Sequence, residues 1–185
     1  MQKKWSVDGK KALITGGTKG IGRAIADEFS NQGASLIIVS RNEKDLIELQ
    51  NHYKNQEIEV NIFKCDISRK EDRLALIEWM KTSYSKIDIL VNNAGMNIRK
   101  RANEYDWTEY QKIFQTNLDS AFEISTALYP LLEESGNASI INISSVAGLG
   151  HLRTGAPYGM TKAAMNQMTK NLAAEWAGNN IRVNA

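Results

Sequence analysis

The sequence predicts an α/β fold, a doubly wound parallel sheet in three layers, and three observations predict it. Short β-branched runs alternate with longer stretches of helical period. A glycine-rich turn follows the first run and opens the first helix. No internal repeat, low-complexity tract or linker interrupts the 185 residues, so one domain over 1–185 is expected.

Taken in order, the strands fall at 12–15, 36–40, 60–64, 87–92, 139–144 and from 181 onward, and the helices at 20–31, 42–54, 69–83, 106–133 and 157–177. Gly33, just past the first helix, suits a left-handed residue that ends it. Asp106 with Glu109 reads as a capping box at the start of the fourth helix, and Pro157 fits the first turn of the fifth. The chain ends at Ile181-Arg182-Val183-Asn184-Ala185, within the sixth strand, so the fold is expected to be cut short there.

Composition narrows the function. A hydrophobic content of 42% supports a well-filled core, and a net charge of +2 is too even to point to nucleic acid. No apolar run approaches the roughly 20 residues that span a bilayer, and Met1-Gln2-Lys3-Lys4-Trp5 does not lead into an apolar leader core, so a cytoplasmic protein without a membrane partner is expected. Cys65 is alone and no Cys and His cluster has metal-ligand spacing.

The turn Thr15-Gly16-Gly17-Thr18-Lys19-Gly20-Ile21-Gly22 lies between strand and helix. There Gly16 permits a tight turn, Gly20 and Gly22 let the backbone approach a pyrophosphate, and the helix N-terminus supplies partial positive charge. The spacing is Gly-x-x-x-Gly-x-Gly, not the Gly-x-Gly-x-x-Gly of the ordinary fingerprint. At the end of the second strand, where an acidic residue would bind the ribose 2′-hydroxyl of NAD, stands Ser40-Arg41-Asn42. A guanidinium suits a 2′-phosphate and Lys19 adds a second cation, which favours NADP(H) and leaves NAD(H) possible. Both residues also read as solvated surface cations. Asp66, followed by Ile67, is placed to accept the adenine amino group or to cap the next helix.

Ser145, Tyr158 and Lys162 carry the chemistry. Tyr158 and Lys162 are four apart in a helical stretch and so share a face. Reducing a carbonyl sends hydride to carbon and a proton to oxygen, and a free phenol with a pKa of about 10 exchanges protons poorly at neutral pH. The ammonium of Lys162 favours the phenolate and can also reach ribose hydroxyls. Ser145, at the end of the fifth strand, can hold the substrate oxygen for Tyr158. Asn117, of poor helix propensity in mid-helix, is a candidate to hold a water that relays protons to Lys162. Asn92-Asn93-Ala94-Gly95 closes the fourth strand, with small residues that leave room for a cofactor and an asparagine to brace neighbouring strands or loops.

In order and spacing, Thr15-Gly16-x-x-x-Gly20-x-Gly22, Asn92-Asn93-Ala94-Gly95, Asn117, Ser145 and Tyr158-x-x-x-Lys162 resemble the short-chain dehydrogenase/reductase family over essentially the whole chain. The segments Trp5-Ser6-Val7-Asp8-Gly9-Lys10 and 166–177 look like its tropinone reductase branch. The resemblance implies a Rossmann-type fold, an NAD(P)-dependent alcohol or ketone oxidoreductase and an Asn-Ser-Tyr-Lys tetrad at Asn117, Ser145, Tyr158 and Lys162. It implies a C-terminal substrate-loop segment past Arg182-Val183-Asn184-Ala185, absent from this sequence, and homo-oligomers formed through the fourth and fifth helices.

The pocket wall is expected from Met96, Asn97 and Ile98 after the fourth strand and from His151, Leu152 and Arg153 before the fifth helix. Arg153 reads equally as a site for an acid group and as half of a surface ion pair. Two function classes follow: an NADP-preferring enzyme acting on a small carbonyl or alcohol substrate, or a shortened, catalytically silent dinucleotide-binding or assembly module. The intact tetrad argues for the first and the end of the chain for the second.

Overall fold

The computed structural model describes residues 6–185; Trp5 and the four residues before it lie outside the described residues. Strands β1 (Lys11–Thr15), β2 (Ser35–Ser40), β3 (Val60–Lys64), β4 (Ile89–Asn92), β5 (Ala138–Asn142) and β6 (Ile181–Asn184) form one sheet in the order β3-β2-β1-β4-β5-β6, every pair parallel. This is the Rossmann-type doubly wound order.

Parallel strands with helices on both faces are apolar throughout rather than alternating, and Leu36-Ile37-Ile38-Val39 is buried at every residue. Successive side chains point to opposite faces, so two cores result. Leu13, Ile37, Leu90 and Ile140 pack beneath helices α3 (Lys70–Ser83), α5 (Ser120–Ala127) and α7 (Ala156–Trp176). Ala12, Ile14, Leu36 and Ile38 pack beneath α1 (Gly20–Asn31) and α2 (Glu43–Lys54). The chain reverses its winding between β3 and β4, which opens a crevice at the carboxyl ends of β1 and β4, where ligands bind in such sheets.

Several local signals read correctly. Gly33 has φ +88°. Asp106 Oδ1 accepts the Glu109 N–H at 2.8 Å and the Asp106 N–H donates back to Glu109, closing the capping box. Pro157 lies in the first turn of α7. An unforeseen cap starts α2, where Asn42 Oδ1 accepts from Lys44 N at 3.0 Å.

Other expectations require correction. The single helix expected over 106–133 is four pieces: α4 (Trp107–Phe114), a π-helical turn (Gln115–Asp119), α5 and α6 (Tyr129–Glu133). Leu128, with φ −95° and ψ 4°, breaks the run just ahead of Pro130, which has no N–H to continue the ladder. The fourth strand begins at Ile89 rather than 87, and the fifth stops at Asn142 rather than 144. Past the Ile143 N–H bond to Asn92 O, residues 143–145 have no strand alongside. Among the described residues no helix is long and apolar enough to cross a membrane.

Candidate active site

Thr15, the last residue of β1, organises the crevice. Its Oγ1 accepts the N–H groups of Asn93 and Ala94, each at 3.1 Å, and donates to Val91 O at 3.3 Å. Asn93 Nδ2 answers with bonds to Thr15 O at 2.9 Å and Gly16 O at 3.1 Å. The ends of β1 and β4 are thereby locked, and Asn92 ties β4 to β5 through Asn142 Oδ1 at 2.8 Å and to α5 through Ser125 Oγ at 3.0 Å. Both asparagines are therefore braces. Sequence reasoning counted Thr15 in the turn motif but gave it no role; the signal was one polar residue closing the apolar run Ala12-Leu13-Ile14.

The glycine turn takes left-handed backbone at Gly16, φ +66°, and Gly20, φ +58°. Gly22 has a packing task as well. A Cβ there would lie 2.4 Å from both Gly16 O and Asn93 Nδ2, so its absence lets α1 seat against the turn. No acidic residue stands in the first turn of α1, which leaves its positive end toward the crevice.

A cleft of about 430 Å³ runs from this turn, lined by Gly16, Thr18, Lys19, Ser40, Arg41 and Asn42, and on its other side by Asp66, Ile67, Asn93, Ala94 and Gly95. Thr18 and Ser40 share a hydroxyl hydrogen bond of 3.2 Å. Arg41 is exposed and, among the described residues, unpaired with a carboxylate. Lys19 is not free in the same way, since its Nζ lies 2.6 Å from Asp45 Oδ2. Asp66 does not cap α3. Its Oδ1 accepts from Ser68 N at 3.0 Å and Ser68 Oγ at 2.7 Å, while Arg69 is the capping residue. Burial works to raise the Asp66 pKa, but the Ser68 bonds and the Arg41 and Lys112 charges prevail and hold it below the usual carboxylate value. The Asp66–Ile67 loop is itself anchored by Asp72, which accepts from Asp66 N at 2.9 Å, and by Arg73 Nη1, which donates to Ile67 O at 2.8 Å. A glycine-lined cradle at a helix N-terminus, hydroxyls and an unpaired guanidinium fit an anionic dinucleotide.

The cleft shares Asn93, Gly95 and Met96 with a second cavity of about 610 Å³. Ser145, Tyr158 and Lys162 all line it, with Ile21 from the glycine turn. Ser145 is not the last residue of β5. It caps the short turn Val146–Gly148, its Oγ accepting the Ala147 N–H at 3.1 Å, which leaves its own hydrogen to donate. Lys162 is 4% exposed, donates to Ile143 O at 2.6 Å and sits 5.8 Å from the centre of the Tyr158 ring. Burial pulls its pKa down to about 8. Asn117 lies behind the cavity, fully buried in the π-helical turn. Its Oδ1 accepts Met96 N–H at 2.7 Å, and its Nδ2 donates to Met96 O at 2.8 Å and Thr161 Oγ1 at 3.2 Å. The Asn117 side chain thus fastens the loop after β4 to α7.

The sequence profile of the short chain dehydrogenase family matches residues 10–185. The chain belongs to this family. Among the short-chain dehydrogenases it is similar to a tropinone reductase homolog of Arabidopsis thaliana, 49% identical over 98% of this chain and 69% of that one. Senescence-associated protein 13 of the same plant is 43% identical over 98% of this chain and 68% of the relative. Of solved structures, the L-sorbose reductase of Gluconobacter frateurii, complexed with NADPH and L-sorbose, superposes with a TM-score of 0.92 at 32% identity, covering 96% of this chain and 68% of that one. The gluconate 5-dehydrogenase of Burkholderia cenocepacia, in complex with NADP and tartrate, gives 0.89 at 31% identity, covering 96% and 70%.

In this short-chain dehydrogenase the wall beyond Ser145, Tyr158 and Lys162 is formed by Met96, Asn97, Leu152 and Arg153, as expected, but not by Ile98 or His151. Arg99 and Thr154 line it instead. No pattern in the sequence marked these two, because the cavity wall is set by how two loops meet.

Proposed function

We propose that the chain is an NADP(H)-dependent oxidoreductase that interconverts a small ketone and its secondary alcohol. The observation that carries this is the shared wall: the cleft of the glycine turn and the cavity of Ser145, Tyr158 and Lys162 meet at Asn93, Gly95 and Met96. NADP(H), when bound, supplies or accepts the hydride. The chain does the rest. Ser145 donates a hydrogen bond to the substrate oxygen, and Tyr158 gives that oxygen its proton in reduction and removes it in oxidation. Lys162 stabilises the negative charge that builds on the phenolic oxygen and reaches toward the ribose. Asn117 acts through Met96 and Thr161 rather than on the substrate.

Arg41 and the Thr18–Ser40 hydroxyl pair support a 2′-phosphate, and the NADPH and NADP named for the two similar structures support the same choice; NAD(H) remains the weaker ligand. Lys19, paired with Asp45, contributes less. Trp107, Phe122 and Met160 are exposed on α4, α5 and α7, which supports homo-oligomers through that face.

The test is calorimetric titration of the chain with NADPH and NADH, followed by NADPH oxidation with a panel of small ketones. NADPH binding with turnover that Tyr158→Phe abolishes is the expected outcome. Binding without turnover would leave the silent dinucleotide-binding module, and no binding would refute the reading.

A further inference from the structure

We propose that the substrate carries a carboxylate, held by Arg99 and Arg153 while Ser145 and Tyr158 take its carbonyl. This rests on the reductase reading and names the substrate class of that site. The cavity that holds the catalytic residues is lined by both arginines and by no Asp or Glu. The arginines come from different loops, one after β4 and one before α7, and the loops are fastened together: Gly155 N–H donates to Lys100 O at 3.0 Å. Asn97 packs against the same glycine, where a Cβ would lie 3.2 Å from its Oδ1.

The neighbouring acids are otherwise engaged. Glu109 pairs with Lys100 at 2.5 Å, Glu104 accepts the Arg101 N–H at 2.9 Å and Asp106 caps α4. Among the described residues this leaves Arg99 and Arg153 with no carboxylate partner. Two cations of one sign at the mouth of a concave site concentrate anions there, and the planar guanidinium fork matches a carboxylate. Sequence reasoning left Arg153 open between an acid group and a surface ion pair; the missing partner and the second arginine on the same wall decide for the acid. The chemistry is unchanged: the carbonyl carbon gains a hydride as NADPH becomes NADP⁺, the oxygen gains the Tyr158 proton, and the carboxylate takes no part in bond making.

The experiment compares 4-oxopentanoate and 5-oxohexanoate with their methyl esters, by initial rates with NADPH and by calorimetric binding to the NADP⁺-loaded chain. At low salt kcat/KM for at least one acid should exceed that of its ester by about tenfold, the lower end for charge-assisted bonds, and the gap should shrink at about 0.5 M salt. The double variant Arg99→Gln/Arg153→Gln should bring the ratio near one, and Arg99→Lys/Arg153→Lys should keep part of it. Equal rates for acid and ester in the unaltered chain, or a preference that survives the double Gln variant, would overturn the inference while leaving the reductase standing. If the chain binds NADPH and reduces neither compound, the calorimetric ranking decides: tighter binding of the acid upholds the inference and equal or absent binding overturns it. Failure to bind NADPH at all refutes the reductase reading and this inference with it.

Discussion

Asn117 grips both backbone polar groups of Met96, taking its N–H at 2.7 Å and giving to its C=O at 2.8 Å. The π-helical turn sets the amide facing the loop after β4, where Met96 lines both cavities. Asn117→Leu leaves a backbone donor and acceptor unpaired. It should cost about 2–6 kcal/mol in urea unfolding, at roughly 1–3 kcal/mol per abandoned buried group.

Lys162 is a buried cation whose ammonium donates to Ile143 O and reaches Met165 Sδ at 3.8 Å, with no carboxylate paired to it among the described residues. Its pKa is about 8 when folded against 10.5 ordinarily. Below pH 8 both states carry the proton and the burial penalty is fully present. Between about 8 and 10.5 the folded protein has released its proton while the unfolded chain keeps it, so stability rises with pH. Lys162→Met lacks this gain. Its unfolding free energy relative to the unaltered chain should therefore be highest near pH 7 and fall by pH 10.5, a swing on the order of 3 kcal/mol. A difference that stays flat across this window would contradict the assignment.

Gly148 is the point where the Ser145 turn touches α7. A Cβ there would lie 2.6 Å from the Lys162 carbonyl carbon and 2.8 Å from Ala163 N. Backbone cannot retreat as a flexible side chain can, so Gly148→Ala should shift the turn away from α7. We expect a loss of about 1–3 kcal/mol in stability and a fall in kcat larger than any rise in KM for NADPH.

Arg41 provides a direct check on cofactor choice. Arg41→Ala should weaken NADPH binding by about 10- to 100-fold, the range for charge-assisted bonds, and leave NADH affinity nearly unchanged. Lys19→Ala should do less, because Asp45 already holds that ammonium. Equal losses for both nucleotides would place Arg41 outside a 2′-phosphate site.

Arg73, 6% exposed, joins Glu123 of α5 to Ile67 O beside the cleft. Removing it strands a half-buried carboxylate and a carbonyl. Arg73→Met should destabilise the chain by about 3 kcal/mol, as expected when one member of a buried pair is lost, and Glu123→Gln, which keeps a hydrogen-bond acceptor, by less. Chemical denaturation of both variants tests this ordering.

The amino-acid sequence by itself determined the layers, the order of strands along the chain and the glycine turn, because each rests on local periodicity or on spacing within one turn. Gly33, the Asp106–Glu109 box and Pro157 were legible for the same reason: a cap is a contact between residues a few positions apart. What tertiary structure decided lies where distant segments meet. Thr15 with Asn93, Asn117 with Met96 and Arg73 with Glu123 are 78, 21 and 50 residues apart. Lys19 read as a free cation until α2 brought Asp45 against it, and nothing along the sequence marked Met96 and Thr161 as partners of the Asn117 amide. Arg99 joined the wall only because its loop after β4 meets the loop before α7. A side chain's partners depend on the whole packing of the chain, whereas its backbone preference depends on its neighbours, and only the second is written along the sequence.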